Sequence, residues 1–241
     1  MVEYVATSRD GNTIVYNANT GTTSGDFDRR HLYSVPADRA APVALTSGDG
    51  LEWQPQVTGD GNSVAFIGAG AQRTPLPMVV AMSGGAARTL GSEQVPATFP
   101  TSELVIPKPV VFHAADGTVV HGQLFERGDG TAKKPGIIFV HGGPPRQMLL
   151  GWHYMNYYSN GYAVNQYLAN HGYVVLAVNY RLGIGYGERF HNPAHAGPWG
   201  ASEYQDVQAG AAYLQALKSV DAARIGIWGG SSGGSLTALA L

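Results

Sequence analysis

The sequence predicts a two-part chain: an all-β segment of propeller blades, then an α/β segment with a mostly parallel sheet that ends in a sharp strand-to-helix turn. Three observations predict it. An Asp-Gly turn flanked by β-rich runs occurs twice at an offset of 50 residues. Beyond a proline-bearing connector, buried apolar strands alternate with helical periodicity. The last strand runs into a serine set among glycines, Gly229-Gly230-Ser231-Ser232-Gly233-Gly234. The boundaries read from these changes are 1–100 for a partial propeller of about two blades, 101–109 for the connector and 110–241 for the α/β part.

In the first segment, Ser8-Arg9-Asp10-Gly11-Asn12-Thr13-Ile14-Val15-Tyr16 recurs as Thr58-Gly59-Asp60-Gly61-Asn62-Ser63-Val64-Ala65-Phe66. Each copy is followed by a short strand, Leu32-Tyr33-Ser34-Val35 or Met78-Val79-Val80-Ala81. A closing Leu45-Thr46 or Thr89-Leu90 pair comes next. Asp-Gly hairpins at a period of about 40 to 50 residues mark propeller blades. Two unrelated hairpins would share the turn, which is a common hairpin signal. A ring takes about four to eight blades, so a propeller cut off at its start is expected. Val2-Glu3-Tyr4-Val5 at the very beginning reads as mid-domain strand.

Pro96 to Pro109 forms the connector region. Val110 to His113 and Val119 to Phe125 flank the turn Asp116-Gly117 and predict an antiparallel hairpin at a sheet edge. Ile137 to Val140, Val174 to Val178 and Ile225 to Trp228 are continuous apolar runs, as expected of strands covered on both faces. Between the first two, Tyr157, Gly161, Val164 and Leu168 recur at helical spacing before Gly172, a C-terminal stop. Between the last two, Ser202 and Gln205 predict a capping box, and Val207, Ala211, Leu214 and Leu217 the buried stripe of a helix. Glu203 and Asp206 read as acids complementing that helix's dipole.

Composition narrows the function. The 241 residues are 44% hydrophobic, enough to bury a sizeable core. A net charge of -2 with 13% charged residues carries no basic stripe, which argues against nucleic acid or an anionic membrane as partner. There are no cysteines, so disulfides, thiolate metal sites and cysteine nucleophiles are excluded, and the compartment stays open. No apolar run approaches the roughly 20 residues of a membrane span. Oligomeric state is not readable.

The chemistry is in the glycine loops. A serine on a strained strand-to-helix turn, with glycines two positions either side, is the nucleophile elbow of an α/β-hydrolase fold. Two registers satisfy Gly-x-Ser-x-Gly, one centred on Ser231 and one on Ser232; Ser231 is favoured because it follows the strand directly. An oxyanion hole in this fold takes the N–H after the nucleophile, here that of Ser232, and an N–H from an earlier loop. His141-Gly142-Gly143-Pro144, directly after the strand ending at Val140, supplies that loop with Gly142 and Gly143 as donors. His191 and His195 have metal-pair spacing, but Pro193 between them forbids a regular helix, so no metal is expected. Gly183 to Gly187 fails dinucleotide spacing and no lysine follows a glycine-rich run, so no cofactor is expected.

From about Val105 onward the chain resembles the prolyl oligopeptidase family of serine peptidases, in its acylaminoacyl-peptidase and dipeptidyl-peptidase branches. The resemblance rests on Val140 to Pro144, Val178 to Gly187, Trp199-Gly200 with Glu203 and Asp206-Val207, and Trp228 to Ser231. It implies that Ser231 is the nucleophile, that Ser232 N–H and the Gly142-Gly143 loop hold the oxyanion, and that a propeller limits access to short peptides. His141, Tyr180 and Arg181 are implied to line the site, His141 in a structural role. The family usually has tyrosine where this chain has Ser232, and commonly another aromatic at Ser235, so a large ring beside the nucleophile is lost, which bears on substrate fit and elbow rigidity more than on the chemistry. No residue here matches the family's triad Asp and His, which follow the serine in that fold, so a fragment with little or no turnover of its own is expected. The alternatives are a carboxylesterase or lipase on the same fold, and a non-catalytic peptide-binding scaffold.

Overall fold

A computed structural model of the chain describes residues 1–19, 26–128, 130, 132–197 and 201–241. The chain divides into two compact units, one formed by Met1–Ser102 with Gly151–Asn156, the other by Glu103–Leu150 with Tyr157–Leu241.

The first unit holds two four-stranded antiparallel sheets. One is β1 (Val2–Thr7), β2 (Thr13–Ala18), β3 (His31–Pro36) and β4 (Val43–Ala44). The other is β5 (Leu51–Val57), β6 (Ser63–Ala69), β7 (Leu76–Ala81) and β8 (Arg88–Thr89), with strands in sequence order in both. The repeated turn folds the same way twice. Ser8 Oγ donates to Asp10 and Thr58 Oγ1 to Asp60, each at 2.6 Å, and each aspartate accepts the N–H of the asparagine two residues on. Gly11 and Gly61 both have φ of 74°, a conformation costly for any residue with a β-carbon. Alternating side chains of these sheets meet in one apolar cluster that includes Val15, Leu32, Val64, Phe66 and Val80.

Gly151–Asn156 belongs to this unit although it lies between a strand and a helix of the other. Trp152 N–H donates to Gly70 O at 3.2 Å, Tyr4 Oη to Tyr154 Oη at 2.6 Å, and the buried Trp53 ring contacts those of His153 and Tyr154. A β-carbon on Gly151 would stand 2.6 Å from the Gly70 carbonyl carbon, so only glycine lets the segment lie there.

The second unit is a five-stranded sheet in the order β13-β11-β12-β10-β9. The strands are β9 (Lys108–His113), β10 (Val119–Phe125), β11 (Lys134–Val140), β12 (Val174–Asn179) and β13 (Val220–Gly229). The helices are α1 (Asn156–Asn170), α2 (Glu188–His191), α3 (Ser202–Ala216) and α4 (Ser232–Leu239). β11 pairs in parallel with β12 and β13, while the β9-β10 hairpin is antiparallel within itself and to β12. The fold is that of an α/β-hydrolase segment preceded by propeller blades.

Three local expectations change. β12 is buried along its whole length, but the Ile225–Gly229 stretch of β13 is half-buried because β13 ends the sheet's strand order. Ser202 is not an N-cap. Ala201 takes that position in a left-handed conformation, φ 48°, and Ser202 lies inside the first turn with its hydroxyl buried and without a hydrogen-bond partner among the described residues. On α1 the buried face is set by Tyr158, Tyr162, Asn165 and Ala169, leaving Tyr157 and Val164 exposed. α1 stops at Asn170, and Gly172, with φ of 85°, follows it as the expected C-terminal stop.

Candidate active site

β11 lies between its two successors, β12 on one side and β13 on the other. The chain therefore leaves the carboxyl end of β11 toward one flank and later returns on the other, and that divergence opens a crevice at the strand ends. Register fixes what faces it: Val140 pairs with both Val178 and Gly229. The loop starting at His141 and the turn starting at Gly230 thus emerge side by side.

The turn holds Ser231 at φ 55°, ψ -123°, an unusual conformation for a residue with a β-carbon. Gly233 N–H donates to Gly230 O and Ser235 N–H to Ser231 O, each at 3.0 Å, carrying the chain straight into α4. A β-carbon on Gly229 would stand 2.5 Å from Val140 O, and one on Gly233 would collide with Val140 O and lie 2.6 Å from His141 O. Gly234 has 3.5 Å to its nearest neighbour, an ordinary contact. The glycines that backbone approach requires therefore flank Ser231 at two positions either side. Ser231 is exposed.

The loop after β11 is tied down by its carbonyls. Tyr180 Oη donates to His141 O at 2.9 Å and Tyr158 Oη to Gly142 O at 2.8 Å. The His141 ring stacks on Tyr180 at 4.3 Å, and its Nδ1 lies 3.1 Å from Gly142 O, the geometry of an Nδ1–H donor. Complete burial pushes the His141 pKa down to about 4, so the ring is neutral near pH 7. Gly143 has φ of 51°, and a β-carbon on Gly142 would sit 3.1 Å from Ser231 Cβ. Among the described residues, the amides of Gly142, Gly143 and Ser232 donate to no other backbone group. Three unspent N–H groups thus lie in the two loops that meet at Ser231, and that of Ser232 is also at a helix N-terminus, which favours negative charge.

Beside the serine is a cavity of ≈ 520 Å³, lined by one face of α4 (Ser232, Ser235, Leu236, Leu239) together with Tyr180 and Glu203. The i, i+3, i+4, i+7 spacing puts those four α4 side chains on one side. Glu203 accepts the Gly197 N–H on both carboxylate oxygens, at 3.0 and 3.1 Å.

Arg181 stands outside the lining of this cavity. Its Nε and Nη2 donate to Asp206 at 2.8 to 3.1 Å, its N–H donates to the same carboxylate at 2.7 Å, and Nη1 reaches Asp116. The Arg181 guanidinium holds the Asp116 carboxyl down at about 2. Asp206 is wholly buried, so its role is this ion pair rather than the helix dipole; an acid at that depth requires a cation beside it. His191 Nδ1 lies 3.1 Å from the carbonyls of Leu182 and Gly183, and among the described residues no group of three or more His, Asp or Glu is arranged to hold a metal. Trp199-Gly200 lies outside the described residues. Tyr158 was not singled out by sequence; no periodicity distinguishes a tyrosine whose hydroxyl reaches a loop sixteen residues back.

The model of the prolyl oligopeptidase family matches residues 160–241. The chain is 35% identical over 137 residues to Uncharacterized peptidase YuxL of Bacillus subtilis (strain 168), which is 55% of this chain and 19% of that protein. It is 37% identical over 112 residues to Dipeptidyl aminopeptidase BIII of Pseudoxanthomonas mexicana, 46% of this chain and 14% of that one. Among solved structures it is similar to dipeptidyl peptidase 4 of Porphyromonas gingivalis, with a TM-score of 0.74 at 22% identity over 100% of this chain and 33% of the other. It is also similar to the acylaminoacyl peptidase of Pyrococcus horikoshii, with a TM-score of 0.70 at 20% identity over 98% and 35%. The chain thus spans less than a fifth of the length of these curated relatives and about a third of these solved chains.

Proposed function

Because the chain belongs to the prolyl oligopeptidase family of peptidases, we propose that it carries the nucleophile and oxyanion hole of a serine peptidase acting on short peptides. Ser231 Oγ attacks the carbonyl carbon of the scissile bond. The oxygen, now negative, is held by the N–H of Ser232 and by those of Gly142 and Gly143. Collapse of that intermediate breaks the C–N bond, expels the amine and leaves an ester on Ser231, which water later cleaves. A base has to take the Oγ proton, and none of the residues around the turn is assigned that role. On this reading Tyr158, Tyr180 and the neutral His141 are positioning residues that hold the donor loop by its carbonyls. Residues 1–100 are propeller blades, 101–109 the connector and 110–241 the N-terminal part of the catalytic domain.

The observation that carries the reading is a serine at φ 55° beside amides that no other backbone group among the described residues uses. The test is turnover of peptide anilides against short acyl esters by the full-length protein. Amide cleavage that Ser231→Ala abolishes is the expected result. Ester turnover with no amide cleavage would make it an esterase on the same fold, and turnover of neither would leave a peptide-binding scaffold.

A further inference from the structure

The two tyrosines that open α1 reach opposite parts of the site. Tyr158 is buried with its hydroxyl on Gly142 O. Tyr157, 52% exposed, stands edge-on to it, with ring centroids 5.2 Å apart at 88°. The Tyr157 hydroxyl lies over the residue before the serine: a β-carbon on Gly230 would collide with it and stand 3.1 Å from ring carbon Cζ. That hydroxyl has no hydrogen-bond partner among the described residues.

Ser231 therefore has two unlike flanks. The residues after it, at i+1, i+4, i+5 and i+8, line the apolar cavity; the residue before it faces Tyr157, and neither Gly230 nor Tyr157 borders the cavity. A peptide whose scissile carbonyl oxygen points at the amides of Ser232 and Gly142 has two halves to place. If the acyl half takes the cavity, the flank left for the amine half is the opposite one, over Gly230.

We infer that Tyr157 is a specificity-determining residue whose hydroxyl hydrogen-bonds the leaving-group half of the peptide, at the backbone of the first residue beyond the scissile bond. The inference rests on the reading that Ser231 is acylated. A hydroxyl can both donate and accept, so it serves the N–H or the carbonyl of any residue there, and Gly230 is glycine because a side chain would displace it.

The test is the partition of the acyl-enzyme. The full-length protein is acylated with a peptide p-nitrophenyl ester in the presence of phenylalaninamide. The amine nitrogen of phenylalaninamide competes with water for the ester carbonyl on Ser231: a C–N bond forms, the C–Oγ bond breaks, and the proton lost by the amine returns to Oγ. Both products come from one acyl-enzyme, so their ratio is independent of how much of a variant is folded. Tyr157→Phe, which removes only the hydroxyl, is expected to lower the ratio of new peptide to hydrolysed acid about 3- to 10-fold, the worth of one hydrogen bond. An unchanged ratio in Tyr157→Phe overturns the inference and leaves the serine reading standing. No acyl-enzyme with the unaltered protein overturns both.

Discussion

The blade turns and the elbow use glycine for opposite ends. At Gly11 and Gly61 the chain itself takes φ of 74° and a β-carbon would meet nothing within 4 Å, so glycine is there to relieve backbone strain in open space. At the elbow the positive φ falls on Ser231, and the glycines stand two residues away, where backbone meets backbone. The first arrangement removes strain. The second retains it on one exposed serine, and uses glycine to let two loops close around it.

Substitution tests this contrast, and the largest effect is expected at Gly229 and Gly233. Alanine at either collides with the carbonyl of Val140, which the β-sheet holds in place, so denaturant unfolding should show a loss of about 3 kcal/mol, the upper end for overpacking. A loss under about 1 kcal/mol would mean that the loops yield. At Gly11 or Gly61 alanine meets no atom and incurs only the left-handed conformation, about 1–2 kcal/mol. Asparagine, which tolerates that region, should recover much of it.

The neutral His141 gives the elbow side a pH signature between its folded and unfolded pKa values. Its pKa falls from 6.5 to about 4 on folding, so between those values the unfolded chain binds the extra proton. Stability from this group is complete above about pH 6.5 and is lost as pH falls toward 4. His141→Gln should flatten the slope of unfolding free energy in that window; an unaltered slope would place the titration elsewhere. The smallest effect is expected at Gly234, within α4 and in ordinary contact, where alanine should stabilise by about 0.5–1 kcal/mol. Destabilisation like that of Gly233→Ala would undo the distinction between neighbouring glycines.

Features built from local chemistry were legible in the sequence. The Asp-Gly-Asn turns satisfy themselves within five residues, so both blades could be read from the repeat. The elbow's glycines and the apolar runs of β11 and β12 were equally plain. What was hidden depends on contacts distant in sequence. Nothing in Gly151-Trp152-His153-Tyr154 has strand or helix periodicity, and its place beside Gly70 and Tyr4 follows from shape. Arg181 and Asp206 are twenty-five residues apart, and only the fold shows that one neutralises the other. Ser202 had the right residue type for a cap and the wrong backbone, because Ala201 took the left-handed position. Tyr157 and Tyr158 look alike in sequence, yet helix rotation buries one and exposes the other.

The central claim is that Ser231, and not its neighbour Ser232, is the reactive hydroxyl. It is tested by treating the full-length protein with a fluorophosphonate and locating the adduct by peptide mass spectrometry, with Ser231→Ala and Ser232→Ala alongside. The account predicts an adduct on Ser231 that persists in Ser232→Ala and vanishes in Ser231→Ala. An adduct on Ser232, or none on either serine, would contradict it.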